Sequence, residues 1–207
     1  MRLQPTAGHQ GARRGLIAAL ALALIVLAST GCGRSAQKTG AVASTSSVPQ
    51  TAQAGCKDGD AAQAARDFYA RIMADAVRGL PSKENMSTLA PLMTASMRAA
   101  VEKARVRQQA FMVAHPDEKP DFIEGSLFTS LFEGPTALES ASAVANDNGA
   151  VVEVGFVHAQ AGAETFRWKD QALLRCEQGR WRLDDVRYGG DWDFASKGQL
   201  KQALESE

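Results

Sequence analysis

The segment FRWKDQALLRCEQGRWRLDDVRY, residues 166–188, alternates apolar and polar side chains with a period of two on both sides of a Glu177-Gln178-Gly179 turn. This period predicts two antiparallel strands, residues 164–176 and 180–188, joined as a hairpin with one buried and one solvent-exposed face. The first strand would bury Phe166, Trp168, Ala172, Leu174 and Cys176 and expose Arg167, Lys169, Gln171 and Arg175.

In the second strand of this hairpin the apolar side changes part-way along. Trp181 and Leu183 point one way, whereas Val186 and Tyr188 point the other way. A β-bulge near Asp184-Asp185 would explain the switch, because one extra residue reverses the alternation that follows it.

The rest of the chain adds two strands and several helices to this hairpin. Residues 138–145 and 150–159 have the same period of two, and Asn146-Asp147-Asn148-Gly149 predicts a hairpin turn between them. Helical patterns predict a helix from a capping box at 60–63 to the stop at Gly79 and Pro81, a short turn within 84–93, a helix from Thr94 to about His115, and a last helix over about 196–204. Helices followed by an antiparallel meander predict an α+β fold, with N-terminal helices packed on a curved four-stranded sheet as in nuclear-transport-factor-like and cystatin-like folds.

The first 31 residues predict an export signal. Arg2, Arg13 and Arg14 precede an apolar run of 13 residues, 16–28, and no acidic residue occurs before position 32. The run is shorter than the ~20 residues of a membrane-crossing helix, and small residues follow it, as in a secretory signal peptide. The Arg13-Arg14 pair also occurs in twin-arginine signals, so both export routes stay open.

The end of this signal, LASTGCGR at residues 27–34, resembles a bacterial lipoprotein signal, in which the cysteine is acylated and becomes the first mature residue. The resemblance implies a lipid anchor (such as palmitate) at Cys32 and a place in the bacterial envelope, facing the periplasm. Gly33 stands where an Asp often marks retention in the inner membrane, which favours the outer membrane. An ordinary signal cleaved nearby would instead leave Cys32 as a plain thiol.

The mature chain divides into a tether and one domain. Residues 32–55, led by the lipidated Cys32, are rich in Ser, Thr, Ala, Gln and Gly and predict a flexible tether. Residues 56–207 then form a single α+β domain. Without residues 1–31 the chain has 20 basic and 23 acidic residues, a net charge of −3. No basic patch stands out, so no nucleic acid partner is expected.

Two cysteines remain once Cys32 carries lipid. An oxidising compartment favours a disulfide between Cys56 and Cys176, which would close a loop of about 120 residues. The alternative is that Cys176 is a small core residue and Cys56 a free thiol.

Four segments together resemble the family of small bacterial envelope lipoproteins typified by YbjP. They are DFYARIM (67–73), KPDFIEGSLFTSLFEGP (119–135), RWKDQALLRCEQGRWRLDDVRY (167–188) and LKQAL (200–204). The resemblance covers roughly residues 60–205, and the family often carries an acidic residue where this chain has Ser126. The shared domain of that family has no established activity. The resemblance therefore implies an envelope location and a nuclear-transport-factor-like fold.

The spacing of the histidines gives little support to a metal site. His158 would lie at the end or rim of a strand, and His115 at a helix end, where a cation suits the helix dipole. Neither has a second His or Cys at ligand spacing, so neither a metal nor a cofactor is expected.

Acidic, tyrosine and tryptophan side chains are the remaining candidates for ligand binding or catalysis. Asp184 and Asp185 are expected either to pair with Arg182 or Arg187, or to act with Tyr69 and Tyr188 in an acid-base pocket. Trp168 and Trp181 would belong to the core or line a pocket for an apolar or sugar ligand.

These observations predict a non-enzymatic, lipid-anchored envelope protein that binds a partner protein or a small ligand. One alternative is an immunity protein that neutralises a toxin delivered into the envelope. The other is a pocket enzyme built on the aspartates and tyrosines, which rests on fold analogy alone.

Overall fold

Among the residues described, three helices precede the four strands and one short helix follows them, as predicted. The structure, a computed structural model, describes residues 55–56, 58–146 and 149–206. The helices are α1 (Asp58–Ala74), α2 (Lys83–Leu89), a 3-10 turn (Ala90–Leu92), α3 (Ala95–Ala114) and α4 (Leu200–Glu205). The strands are β1 (Ala137–Asn146), β2 (Gly149–His158), β3 (Phe166–Glu177) and β4 (Arg180–Arg187).

The predicted signal and anchor fall outside this description. The signal peptide at 1–31, the Arg13-Arg14 pair, Cys32 and the tether up to residue 54 all lie outside the described residues. In the described part, no helix is both long enough and apolar enough to cross a membrane.

The four strands form one antiparallel sheet in the order β1-β2-β3-β4, so the α+β class is confirmed. Its buried face packs against α1, with Val152, Val154 and Phe156 from β2 fully buried. The opposite face is wet and carries cross-strand ion pairs such as Lys169–Glu153, with 2.6 Å between Nζ and Oε1. One face is therefore apolar and one charged, as the period of two predicts.

The bulge in β4 lies where the change of side predicts it. Leu173 pairs with Asp185, but the next residue, Leu174, pairs with Leu183. Asp184 is thus the extra residue of a β-bulge. Because of it, Leu183 and Val186 both lie on the buried face.

Several predicted bounds are wrong. The first helix begins at Asp58 and ends at Ala74, well before Gly79, because Ala76 has left the helix with a φ of 46°. The last helix begins at Leu200 rather than residue 196, because Gly198 has a φ of 76° and the Gln199 N-cap is extended.

Two residues expected on the buried side of β3 are also exceptions. Phe166 remains 39% exposed, because the first residue of β3 lies at the edge of the core, beside Trp192 rather than beneath a helix. Cys176 is exposed near the other end of β3, where it is bonded to Cys56.

Aromatic rings fill the space between α1 and the sheet. Phe68 and Tyr69 of α1 meet edge to face, as do Phe68 and Phe128 and also Tyr69 and Phe156, with centroids 4.8–5.3 Å apart. Such pairs add about 0.5–1.5 kcal/mol each beyond the burial of their area. The interior behind the helix is therefore occupied by side chains.

The two ends of the sheet differ in character. We call the end of the sheet where β1 and β3 begin and β2 and β4 end the loop end. It carries segments 126–136, 159–165 and 188–196. We call the opposite end the turn end; it carries the Gln178-Gly179 turn and the Cys56–Cys176 disulfide. The Cα atoms of the two cysteines are 5.8 Å apart. Residue 56, among the first that the structure describes, therefore lies at the turn end.

Candidate functional site

Tyr69 and Tyr188, two of the predicted candidates, hold a single loop in place. The Tyr69 hydroxyl donates to the carbonyl oxygen of Phe128 at 3.2 Å, and that of Tyr188 to Leu127 at 2.7 Å. Burial raises the pKa of both hydroxyls well above the usual value, and the nearby Asp170 carboxylate raises each further. Both tyrosines therefore stay protonated and act as hydrogen-bond donors.

Asp170, which the sequence analysis did not single out, forms the centre of this region. It is 1% exposed. One of its oxygens accepts from Ser130 N at 2.9 Å and Trp168 Nε1 at 3.0 Å, and the other from Gly189 N at 2.8 Å and from Ser130 Oγ. The strand period placed Asp170 between Trp168 and Ala172 on the buried side, which was the available signal.

Ser130 extends the same network to a second loop. Its Oγ accepts from Gly189 N at 3.1 Å and Gly190 N at 3.0 Å, and its carbonyl oxygen accepts from Ser196 N at 3.0 Å. Segments 126–136 and 188–196 are thus bonded to each other and to β3. We call Asp170, Ser130 and the backbone of Gly189 and Gly190 the Asp170 cluster.

Trp168 joins the Asp170 cluster to the aromatic side chains at the loop end. Its indole is mostly buried and lies 5.3 Å from the Phe156 ring, which makes it a core residue. Its other neighbours are Trp192 at 6.4 Å and Phe166 at 6.0 Å between centroids. Trp181, at the turn end, is also buried.

Asp184 is an ionised carboxylate between β4 and the helices. It accepts from Thr94 and Ser96 at 2.8 Å, and pairs with Lys201 at 2.8 Å and Arg175 at 3.0 Å. Burial alone would raise its pKa, but the hydrogen bonds from Lys201, Ser96, Thr94 and Arg175 outweigh it and lower the pKa to about 2.

Asp185 is almost fully buried and holds the start of α4. Its Oδ1 accepts from Val186 N at 2.8 Å and from Lys201 N at 3.0 Å. Burial raises its pKa, and the two backbone hydrogen bonds offset part of that rise. Neither aspartate forms a hydrogen bond or ion pair with Arg182 or Arg187, whose partners are Gln178, Glu177 and Gln171, so the predicted pairing is wrong. Asp184 at the bulge instead bonds to residues of α3 and α4.

The predicted acid-base constellation is not assembled in the described part of the chain. No hydrogen bond there joins Asp184 or Asp185 to the hydroxyl of Tyr69 or Tyr188. Asp170 is the acid whose charge acts on both tyrosine hydroxyls, and its oxygens already accept four hydrogen bonds. A general base needs a free lone pair aimed at a substrate proton.

His115 and His158 take the predicted positions. His115 is the C-cap of α3, and His158 ends β2 with its Nδ1 2.7 Å from the carbonyl oxygen of Gly134. No group of three or more His, Cys, Asp or Glu side chains suited to a metal ion occurs among the residues described.

The loop end displays the most exposed aromatic rings of the described residues. Phe194 is 93% exposed, Phe132 54% and Phe166 39%, and the ring of the partly exposed Trp192 lies 4.8 Å from that of Phe166, centroid to centroid. A cavity of about 600 Å³ opens beside Phe132, lined also by Arg78, Glu133, Thr136 and His158. We call Phe132, Phe166, Trp192 and Phe194 the loop-end surface.

Sequence reasoning missed the loop-end surface because loops have no period to read. The only signal was GGDWDF, residues 189–194, in which two aromatic residues alternate with aspartates after paired glycines. Gly189 has a physical reason to be glycine, since a Cβ there would lie 2.2 Å from the carbonyl oxygen of Lys169.

Two other surfaces are less suited to binding. A groove of about 460 Å³ lies between α3 and residues 119–122, but its Gln108 and Lys119 are already bonded to Asp121 and Glu124. On the wet face of the sheet, Val144, Val151 and Leu173 pair across three strands, and ion-paired side chains surround them.

Comparisons of the chain with protein-family models, with curated proteins and with solved structures gave no match in any of the three.

Proposed function

We propose that the chain is a lipid-anchored bacterial envelope protein that carries out no catalysis and binds a partner protein through its loop-end surface. The observation that carries this proposal is the exposure of Phe194 and Phe132, on loops fixed by the Asp170 cluster, and of Phe166 at the start of β3. Clustered exposed aromatic residues mark interaction sites more often than isolated ones do.

The rigidity of these loops supports binding. Segment 188–196 has hydrogen bonds to Ser130 at Gly189, Gly190 and Ser196, and Ala195 N donates to the carbonyl oxygen of Trp192 at 3.2 Å. A surface held in its bound conformation loses little conformational entropy on association.

The buried polar groups support a binding role over an enzymatic one. The hydroxyls of Tyr69 and Tyr188 and the carboxylate of Asp170 all hold backbone in place. An acid-base enzyme would leave at least one such group free to face a substrate.

We also propose that the domain has the nuclear-transport-factor-like or cystatin-like arrangement. Its support is α1 lying against one face of the four-stranded antiparallel meander, with bulges in β1 and β4.

The position of the disulfide supports a loop-end surface that is free to meet a partner. Cys56 starts the domain at the turn end, so a tether leading back to Cys32 leaves the domain at the end opposite the loop-end surface. A tether of residues 33–55 reaches at most about 80 Å when extended. A flexible tether of this length lets the loop-end surface reach a partner without fixing the orientation of the domain.

The test is affinity capture from a solubilised envelope extract with three versions of the full chain. Phe194→Ser removes the most exposed ring of the loop-end surface, and Val144→Ser changes the wet face of the sheet. We expect one stoichiometric partner with wild type and Val144→Ser, and loss of it with Phe194→Ser. An empty capture, or loss with Val144→Ser only, would overturn the proposal; a captured toxin would make the protein an immunity protein.

A further inference from the structure

The loop-end surface has an excess of unpaired carboxylates. Asp191 and Asp193 alternate with Trp192 and Phe194, and Glu133 and Glu164 lie in the neighbouring loops; all four acids are exposed. None of these carboxylates takes part in an ion pair with another described residue. The aromatic rings are therefore bordered by negative charge.

Three basic side chains on the segments of the loop end or bonded to them have other hydrogen-bond partners. Lys197 Nζ donates to the carbonyl oxygen of Gly190 at 2.6 Å, and Arg78 donates to that of Glu133. Arg167 pairs with Glu139 at 2.9 Å on the wet face of the sheet. Two of these cations are therefore hydrogen-bonded to neutral carbonyl oxygens and one is paired with an acid of the wet face, and none forms an ion pair with the four loop-end carboxylates.

We propose that the partner presents a basic segment to the loop-end surface, with an apolar side chain inserted beside Phe194 and Lys or Arg side chains against Asp191 and Asp193. This inference rests on the proposed function and specifies the partner at the same site. Opposite charges around an apolar anchor steer association and fix its register. An anionic lipid surface would instead be repelled by the same carboxylates.

The test is site-specific photo-cross-linking of the full chain in the cells that produce it. p-Benzoylphenylalanine replaces Phe194 in one variant and Gln178, at the turn end, in the control variant. We expect position 194 to cross-link a protein segment with a net positive charge, and position 178 not to cross-link that segment. Mass spectrometry of the cross-linked peptide reads its charge directly.

Charge variants in the same experiment distinguish a basic partner from one that makes only apolar contacts. Asp191→Lys with Asp193→Lys should lower the cross-linking yield at position 194 about tenfold, because two favourable charge contacts become repulsive. Asp191→Asn with Asp193→Asn should lower it less. Raising the salt concentration to about 0.5 M in the isolated envelope should also lower the yield.

Failure of the inference can be told from failure of the proposed function. A cross-link at 194 to an acidic segment, a glycan or lipid, or one unchanged by the lysine substitutions, would overturn the basic partner. Binding through the loop end would still stand in the capture experiment if Phe194→Ser lost the captured protein. An empty capture together with no cross-link at 194 would overturn both.

Discussion

At the scale of single residues, one buried carboxylate organises the loop end. Asp170 accepts hydrogen bonds from two loops and from the Trp168 indole, and it has no cation beside it among the described residues. Hydrogen bonds to a charged acceptor are worth more than neutral ones, and a buried donor that loses its acceptor costs about 1–3 kcal/mol.

Asp170→Asn should destabilise the protein by about 1–3 kcal/mol, because the amide nitrogen would replace one of the two acceptor oxygens and at least one buried N–H group would lose its hydrogen bond to residue 170. The free energy of unfolding in urea, followed by tryptophan fluorescence, measures this. Glu153→Gln, which breaks an exposed pair with Lys169, is the matched control and should change stability by less than about 0.5 kcal/mol. Equal stability of Asp170→Asn and wild type would contradict the role given to the Asp170 cluster.

Asp184 predicts a dependence of stability on pH. Its pKa is about 2 in the folded protein against an ordinary value of 3.8. A lowered pKa stabilises the fold above the ordinary value, and that stabilisation is lost as pH falls from there toward the folded value. Asp184→Asn should cost about 1–2 kcal/mol at neutral pH, after allowance for solvent screening, and the difference from wild type should shrink below about pH 4.

Urea midpoints at several pH values check this prediction. Asp191→Asn serves as the control, because Asp191 is exposed and no ion pair with another described residue involves it. A constant difference between Asp184→Asn and wild type down to about pH 2 would show that the hydrogen bonds of Asp184 do not depend on its charge.

At the scale of secondary structure elements, the period of apolar residues predicted where the strands lie, but not where the last helix begins. The alternation of apolar residues placed four strands, and its reversal placed the bulge at Asp184. The start of α4 was missed because Gly198 and Gln199 leave the helical conformation, which no apolar pattern reveals. Helix α3 was predicted well because Thr94 caps it, accepting from Met97 N at 3.1 Å.

The Asp170 cluster could be predicted only in part, for a related reason. The alternation shows that Asp170 is buried, but its partners Ser130 and Gly189 come from distant loops with no regular pattern. The exposed rings of Phe194 and Phe132 could not be told from core residues, because aromatic residues in a sequence are more often buried.

The disulfide joins the start of α1 to the end of β3 at the turn end. Its loop spans 120 residues, so its removal should destabilise the protein by about 4–5 kcal/mol in the chain-entropy model. Cys176→Ser and the double variant Cys56→Ser/Cys176→Ser should lower the free energy of unfolding equally, since either change removes the same cross-link. Free-thiol labelling of the native protein should leave both cysteines unreacted, and labelling of both would contradict the pairing.

At the scale of the whole molecule, the proposed lipid anchor at Cys32 would decide where the loop-end surface acts. Cys32→Ser should move the protein from the membrane fraction to the soluble fraction, because a signal without its cysteine cannot be acylated. Immunoblotting of fractionated cells measures this. Cys56→Ser is the control and should stay in the membrane fraction; Cys32→Ser remaining there as well would refute the anchor.

The measurement that tests the account most directly is hydroxyl-radical footprinting of the full chain, once in its native envelope and once purified in detergent. The account predicts that Phe194 and Phe132 react less in the envelope, where a partner covers them. Met112, 40% exposed on α3, should react equally in both samples and serves as the internal reference. Equal reactivity of Phe194 and Phe132 in the two samples would contradict the claim that the loop-end surface is the binding site.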